Sequence, residues 1–136
     1  MEIQYKSRLL TEEAKAYLLR LMLDREKASP VLYAGLTKKL FNNTADLKTL
    51  TEAELKATGY SRQAIAASDW AIDEKAIKCK SAIFKNDSTE TWPEVHVMFI
   101  STSKDSSGIL LAWSNLKMPR QLFAGDELWL PIELVW

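Results

Sequence analysis

One histidine, one cysteine and a scatter of carboxylates are the groups in this 136-residue chain with the best claim to chemistry. His96 alternates with Val95, Val97 and Phe99, a period-two pattern that places it in a strand, on the face away from those apolar residues. A metal site wants two or three further ligands at helix or hairpin spacing, and apart from carboxylates the chain offers only Cys79. Lysines on either side of Cys79 would lower a thiol pKa and make it nucleophilic. Alternation argues otherwise: Ile77, Cys79 and Ser81 share one face and Lys78 and Lys80 the other, so a small buried thiol is expected.

Asp69, Asp73, Glu74, Glu90 and Glu94 include candidates for the two carboxylates, about 5 to 9 Å apart, that glycoside hydrolysis uses. Spacing in the sequence brings no such pair together. The glycines Gly35, Gly59, Gly108 and Gly125 stand singly, so no glycine-rich phosphate cradle occurs. Tryptophan is abundant instead, at Trp70, Trp92, Trp113, Trp129 and Trp136. Such rings bind sugars or stack on bases, but they more often anchor β cores and subunit interfaces, because each buries a large area at small entropic cost. Trp136 follows Leu134 and Val135 and is expected in a core or a contact. The chemistry-bearing residues therefore predict no catalytic site, no metal and no cofactor.

Charge points the same way. Lys plus Arg number 18 and so do Asp plus Glu, so no net field attracts nucleic acid or an anionic membrane. The balance is local too: residues 1–90 hold 15 basic and 13 acidic side chains, and residues 91–136 hold 3 and 5. A single cysteine excludes an internal disulfide. No run of about 18 apolar residues is present to span a bilayer as a helix, and Glu2, Lys6 and Arg8 fall where a leader would need apolar residues.

The elements that must position these residues begin with an amphipathic helix over residues 11–24. Thr11 is its N-cap, Glu12 and Glu13 suit the positive end of the dipole, and Ala14, Tyr17, Leu18, Leu21 and Met22 share a face. Leu19 and Leu23 widen that face, so the helix could touch a partner as well as its own domain. Ser29-Pro30 ends the helical region and residues 31–37 follow as a strand. A capping box at Thr51-Glu52-Ala53-Glu54 predicts a second helix over residues 51–57, stopped by Gly59 in a left-handed conformation. Beyond Gly59 apolar residues recur with period two, giving strands over residues 63–72, 76–84, 95–102, 109–115 and 127–135. Pro131 requires that the last strand be an edge, or that its ladder need no donor there. The expected fold is a mainly β, antiparallel sandwich or jelly-roll-like domain occupying 1–136, with a helical N-terminal arm at 1–28, a β domain at 31–136 and one short inserted helix.

Several segments resemble the small proteins known as phage tail fibre proteins, from the structural modules of tailed bacteriophages. Gly59-Tyr60-Ser61-Arg62-Gln63-Ala64-Ile65 is similar to the family's Gly-Tyr-small-Arg-Gln run. Pro30-Val31-Leu32-Tyr33-Ala34-Gly35-Leu36 resembles its first strand, and Trp92-Pro93-Glu94-Val95-His96-Val97 its tryptophan and following strand. Gly108 to Trp113 and Ala124-Gly125-Asp126 resemble a later strand and turn. The order agrees over residues 9–136, although Pro131 stands where the family usually has glycine and the stretch from Leu40 to Thr58 is longer.

This resemblance implies a non-enzymatic structural protein of the virion, assembled in the host cytoplasm. It would be tail-associated, as a fibre or adaptor, or a head decoration or cement subunit packed on the major capsid protein. Expected partners are other virion proteins and further copies of the chain, as a trimer by analogy with fibres and cements, without nucleic acid or membrane. Tyr60, Arg62, Trp92, Trp113, Trp129, Trp136, Leu19 and Leu23 are the candidate structural and interface residues. The rival reading is a carbohydrate-binding module or glycan hydrolase of the host-recognition apparatus, built on the tryptophans.

Overall fold

The period-two pattern becomes two packed sheets in the computed structural model, which describes residues 5–7, 31–41, 46–72 and 76–135. Its elements are β1 (Tyr5–Ser7), β2 (Leu32–Thr37), α1 (Leu47–Glu52), β3 (Gln63–Ile65), a 3-10 turn (Ala67–Asp69) and β4 (Trp70–Ile72). They continue with β5 (Ala76–Lys85), β6 (Val95–Ser101), β7 (Leu110–Arg120) and β8 (Glu127–Val135). One sheet has the order β1-β8-β5-β4 and the other β3-β2-β6-β7. Only the β1–β8 pair is parallel; the other described pairs are antiparallel. The mainly β sandwich expected from the sequence is the fold.

The main core lies between the sheets. Leu32, Ala34 and Leu36 of β2 and Met98 and Ile100 of β6 meet Phe84 of β5 and Leu128, Leu130 and Ile132 of β8. The other face of β6 is covered too, where Val97 and Phe99 pack with Leu110 and with Leu47 and Leu50 of α1, joined by Phe41 and Trp113. Both faces of β6 from Val97 onward are therefore buried, and His96, at the register shift between Val95 and Val97, does not stand on an open polar face: its side chain is only 19% exposed.

Other departures have local causes. The stretch 63–72 is two strands in different sheets, because the Ala67–Asp69 turn carries the chain from Ile65 across to Trp70, both ends buried in the main core. The short helix starts four residues earlier than the capping box suggested. Asp46 is the N-cap, accepting from Thr49 N at 2.7 Å, since Leu47 and Leu50 at i, i+3 are the pair that can be buried. Thr51 sits instead in the last turn, its hydroxyl donating to Leu47 O. Gly59 is left-handed (φ 82°), yet it closes the turn in which Tyr60 N donates to Ala57 O and ends no helix.

Pro131 resolves differently from the edge-strand expectation. β8 is flanked by β1 and β5, and Pro131 falls at the register shift between Cys79 and Ala82, while the β1 ladder begins only at Ile132. The missing N–H is lost where no ladder bond is due. Within the stretch read as a helical arm, Tyr5–Ser7 is a strand; the helix at 11–24 lies outside the described residues.

Candidate functional site

Backbone pairing beyond the strands sets up the most polar buried spot among the described residues. After α1 the chain runs back along β2, with Lys38 N donating to Ala53 O and Leu55 N to Leu36 O, which fixes Glu54 opposite Thr37. The Gly59 turn then brings Tyr60 and Arg62 to the same place. A side chain at Gly59 would be forced into the left-handed region, although the space around it is open.

Arg62 is the centre of this node, with its side chain 3% exposed against 14% for Glu54. Nε and Nη2 donate to the Glu54 carboxylate at 2.9 and 3.0 Å. Nη2 also reaches Thr51 Oγ1 at 2.8 Å, and Nη1 donates to the Ser103 and Asp105 carbonyls at 2.9 Å and to Ser101 Oγ at 3.3 Å. Every N–H of the fork has an acceptor inside the chain, the condition under which a buried ion pair repays its desolvation. The guanidinium also lies 4.9 Å from the ring centroid of Phe99.

Tyr60 ties this node to the main core. Its hydroxyl donates to Glu54 Oε2 at 2.7 Å and accepts from Leu36 N at 2.9 Å. Its ring stacks on Phe84 and meets Trp92 edge-on, with centroids 6.2 and 5.8 Å away. Burial first, then the Glu54 carboxylate, pushes the phenol well above its ordinary range. Trp92 is 1% exposed and donates from Nε1 to Thr58 O at 2.9 Å.

Beside the node is an open groove of about 440 Å³, lined by Thr51, Glu54, Leu55, Lys56, Tyr60, Ser61, Arg62 and Lys104. Its ionised floor is already paired, so what it presents outward is a hydroxyl and two lysines. The remaining chemistry-bearing residues are dispersed. His96 Nε2 lies 3.1 Å from Glu94, Asp69 pairs with Lys80, and Glu90 accepts from Thr58 Oγ1. Cys79 packs against the main core, and burial pushes its thiol up to about 12. Asp73 and Glu74 lie outside the described residues.

Of the residues singled out from the sequence, the structure unites Tyr60, Arg62 and Trp92. Trp113 belongs to the second core, edge-on to Phe41 at 6.1 Å, and Trp129 is 42% exposed on the far sheet. Trp136, Leu19 and Leu23 lie outside the described residues. Sequence reading missed Glu54, taken for a helix cap, and Asn86, which it did not single out. Asn86 is fully buried, its amide donating to Glu90 O and Leu122 O and its carbonyl accepting from Ser88 N and Oγ. Their signal was faint: Glu54 stands eight residues before the Arg62 it pairs with, about 12 Å along a helix or about 26 Å along a strand, too far for the two side chains to meet within one element.

No family model matches the chain, and the search of curated proteins finds no relative of it.

Proposed function

We propose that the chain is a structural protein of a tailed-bacteriophage particle, attached at the tail or on the head, working by packing against other virion proteins and further copies of itself. The observation that carries this reading is that residues from separate segments resembling the tail fibre family, Gly59 to Arg62 and Trp92, meet at the node, where Glu54 of the longer stretch pairs with Arg62. Gly59 makes the turn, Tyr60 and Arg62 fill it, and Trp92 closes it against the main core. A motif whose buried polar groups, the Tyr60 hydroxyl, the Arg62 guanidinium and the Trp92 indole N–H, are spent on the chain itself is a folding signature, the kind a family of packing subunits would share while its surfaces diverge.

Labelling tailed-phage particles, purified from a lysate in which this chain is made, with an antibody against it tests the reading. Label at the tail or on the head is the expected result; chain found only in the soluble lysate would overturn it. The carbohydrate reading keeps one foothold, because Trp129 leaves its indole exposed with Nε1 donating to Glu127 at 2.9 Å. A saturable tryptophan-fluorescence shift with host-envelope glycans, lost in Trp129→Ala, would favour it.

A further inference from the structure

The outward face of the β8-β5 pair combines an apolar centre with charge sorted by strand. Cross-strand partners Ile83 and Trp129 are both exposed, at 41% and 42%, on the face opposite buried Phe84 and Leu128. Lys85 stands opposite Glu127 on one side of them and Lys78 opposite Glu133 on the other. β5 carries three lysines and no acid, and β8 two glutamates and no base. Lys85 is loosely held within the chain: its Nζ lies 3.9 Å from Glu127 and 3.5 Å from Asp87, with 52% of its side chain exposed.

A basic strand beside an acidic one is self-complementary about one axis only. A two-fold axis parallel to the strands and between them lays β5 of one copy over β8 of the other. Lys85 then faces Glu127 of the second copy, Lys78 faces Glu133, and Ile83 covers Trp129. An axis across the strands would oppose lysine to lysine. Sheets stack face to face about 10 Å apart, a distance that lysine, glutamate and indole side chains from both layers can fill.

We infer that this face is a two-fold, sheet-on-sheet contact with a second copy of the chain. The inference is independent of the virion reading, since it uses only this face. A ten-residue strand is about 33 Å long and a two-strand strip about 10 Å wide, well under the roughly 800 Å² per partner of a tight interface. The contact is accordingly weak, with dissociation in the micromolar range.

Sedimentation equilibrium of the full chain across a concentration series is the test. The wild type is expected to form dimers. Lys85→Glu, which sets like charges against each other across the axis, should weaken them by about tenfold or more, and Lys85→Glu with Glu127→Lys should restore them to within about threefold. Trp129→Ala should leave monomers while circular dichroism shows the fold intact. A monomer at every concentration, a trimer, or a dimer indifferent to Lys85→Glu or not restored by the double exchange overturns the inference.

Discussion

Phe99 lies across the bare Cα of Gly35, its cross-strand partner, so closely that a Cβ on residue 35 would stand 2.3 Å from Cζ of the ring. The ring is fully buried and cannot swing clear, because Leu47 and Leu50 of α1 share its cluster and the Arg62 guanidinium packs over it. Gly35→Ala should therefore destabilise, by about 1–3 kcal/mol from overpacking, although alanine is otherwise no worse than glycine in a strand. Phe99→Leu leaves a gap costing a similar amount. The double variant should lose less than the sum, a coupling readable from urea midpoints in a double-mutant cycle. Strict additivity would mean that the ring yields to the methyl at no cost.

Arg62→Ala should be the most damaging single change in the node, since it leaves the Glu54 carboxylate without its cation at 14% exposure and leaves the Ser103 and Asp105 carbonyls with one serine hydroxyl donor each. Breaking a buried pair in this way costs about 3–5 kcal/mol. Arg62→Lys should recover only part of it, because an ammonium cannot reproduce a fork that spans Thr51, Glu54 and the loop carbonyls. Thermal and urea unfolding measure both, and a variant melting like wild type would show that the node is dispensable to the fold.

Strand content was legible because period two survives in β8 and, on either side of its register shift, in β5, where one apolar residue in two must face the main core. It failed where a second partner intervened. His96 looked solvent-facing because Val95, Val97 and Phe99 alternate with it, yet Met98 and Ile100 fill the other face and α1 covers the first. Residues 63–72 kept an apolar rhythm through Ile65 and Trp70, and nothing local reveals that the two belong to different sheets. The node was half legible: Tyr60 and Arg62 stood out by resemblance, while Glu54 is positioned by backbone bonds to β2, a long-range pairing that the capping-box pattern hid.

Stability should fall on the alkaline side in two steps. Burial raises the Cys79 thiol from its ordinary 9.0 to about 12, and burial with the Glu54 carboxylate raises the Tyr60 phenol above its ordinary 10.0. Both are neutral in the fold at a pH where the unfolded chain ionises, so the unfolded state binds fewer protons and stability drops as pH rises. Cys79 contributes fully below about pH 9 and loses its contribution between about 9 and 12, at no more than about 1.4 kcal/mol per pH unit. Tyr60 begins to lose its own near pH 10. Urea midpoints from pH 8 to 11 should therefore decline, and Cys79→Ala should remove the part of the slope that starts near 9. An unchanged slope would mean that the thiol ionises freely in the native protein.

Asn86 allows a test in which sign and not only size is at stake. Its amide nitrogen donates to Glu90 O at 2.7 Å and Leu122 O at 3.0 Å, and its carbonyl accepts from Ser88 N and Oγ, all at a fully buried position. Its backbone also joins the turn before β8, donating to Asp126 O and accepting from Gly125 N. Asn86→Asp keeps shape and volume but replaces the two-proton donor with an oxygen facing two carbonyl oxygens. A carboxylate there is buried and repelled, whereas the protonated acid can still donate to one carbonyl, so the folded pKa must rise above the unfolded value of about 3.9. The penalty relative to wild type should be smallest below about pH 4 and grow as pH rises through the raised folded pKa, to about 2–4 kcal/mol at neutrality. Urea unfolding of both proteins between pH 3 and 8 reads the difference directly. A penalty that shrinks with rising pH would mean that the Ser88 donors outweigh the carbonyls, and that the site selects for acceptance at Oδ1 and not for the amide's two protons.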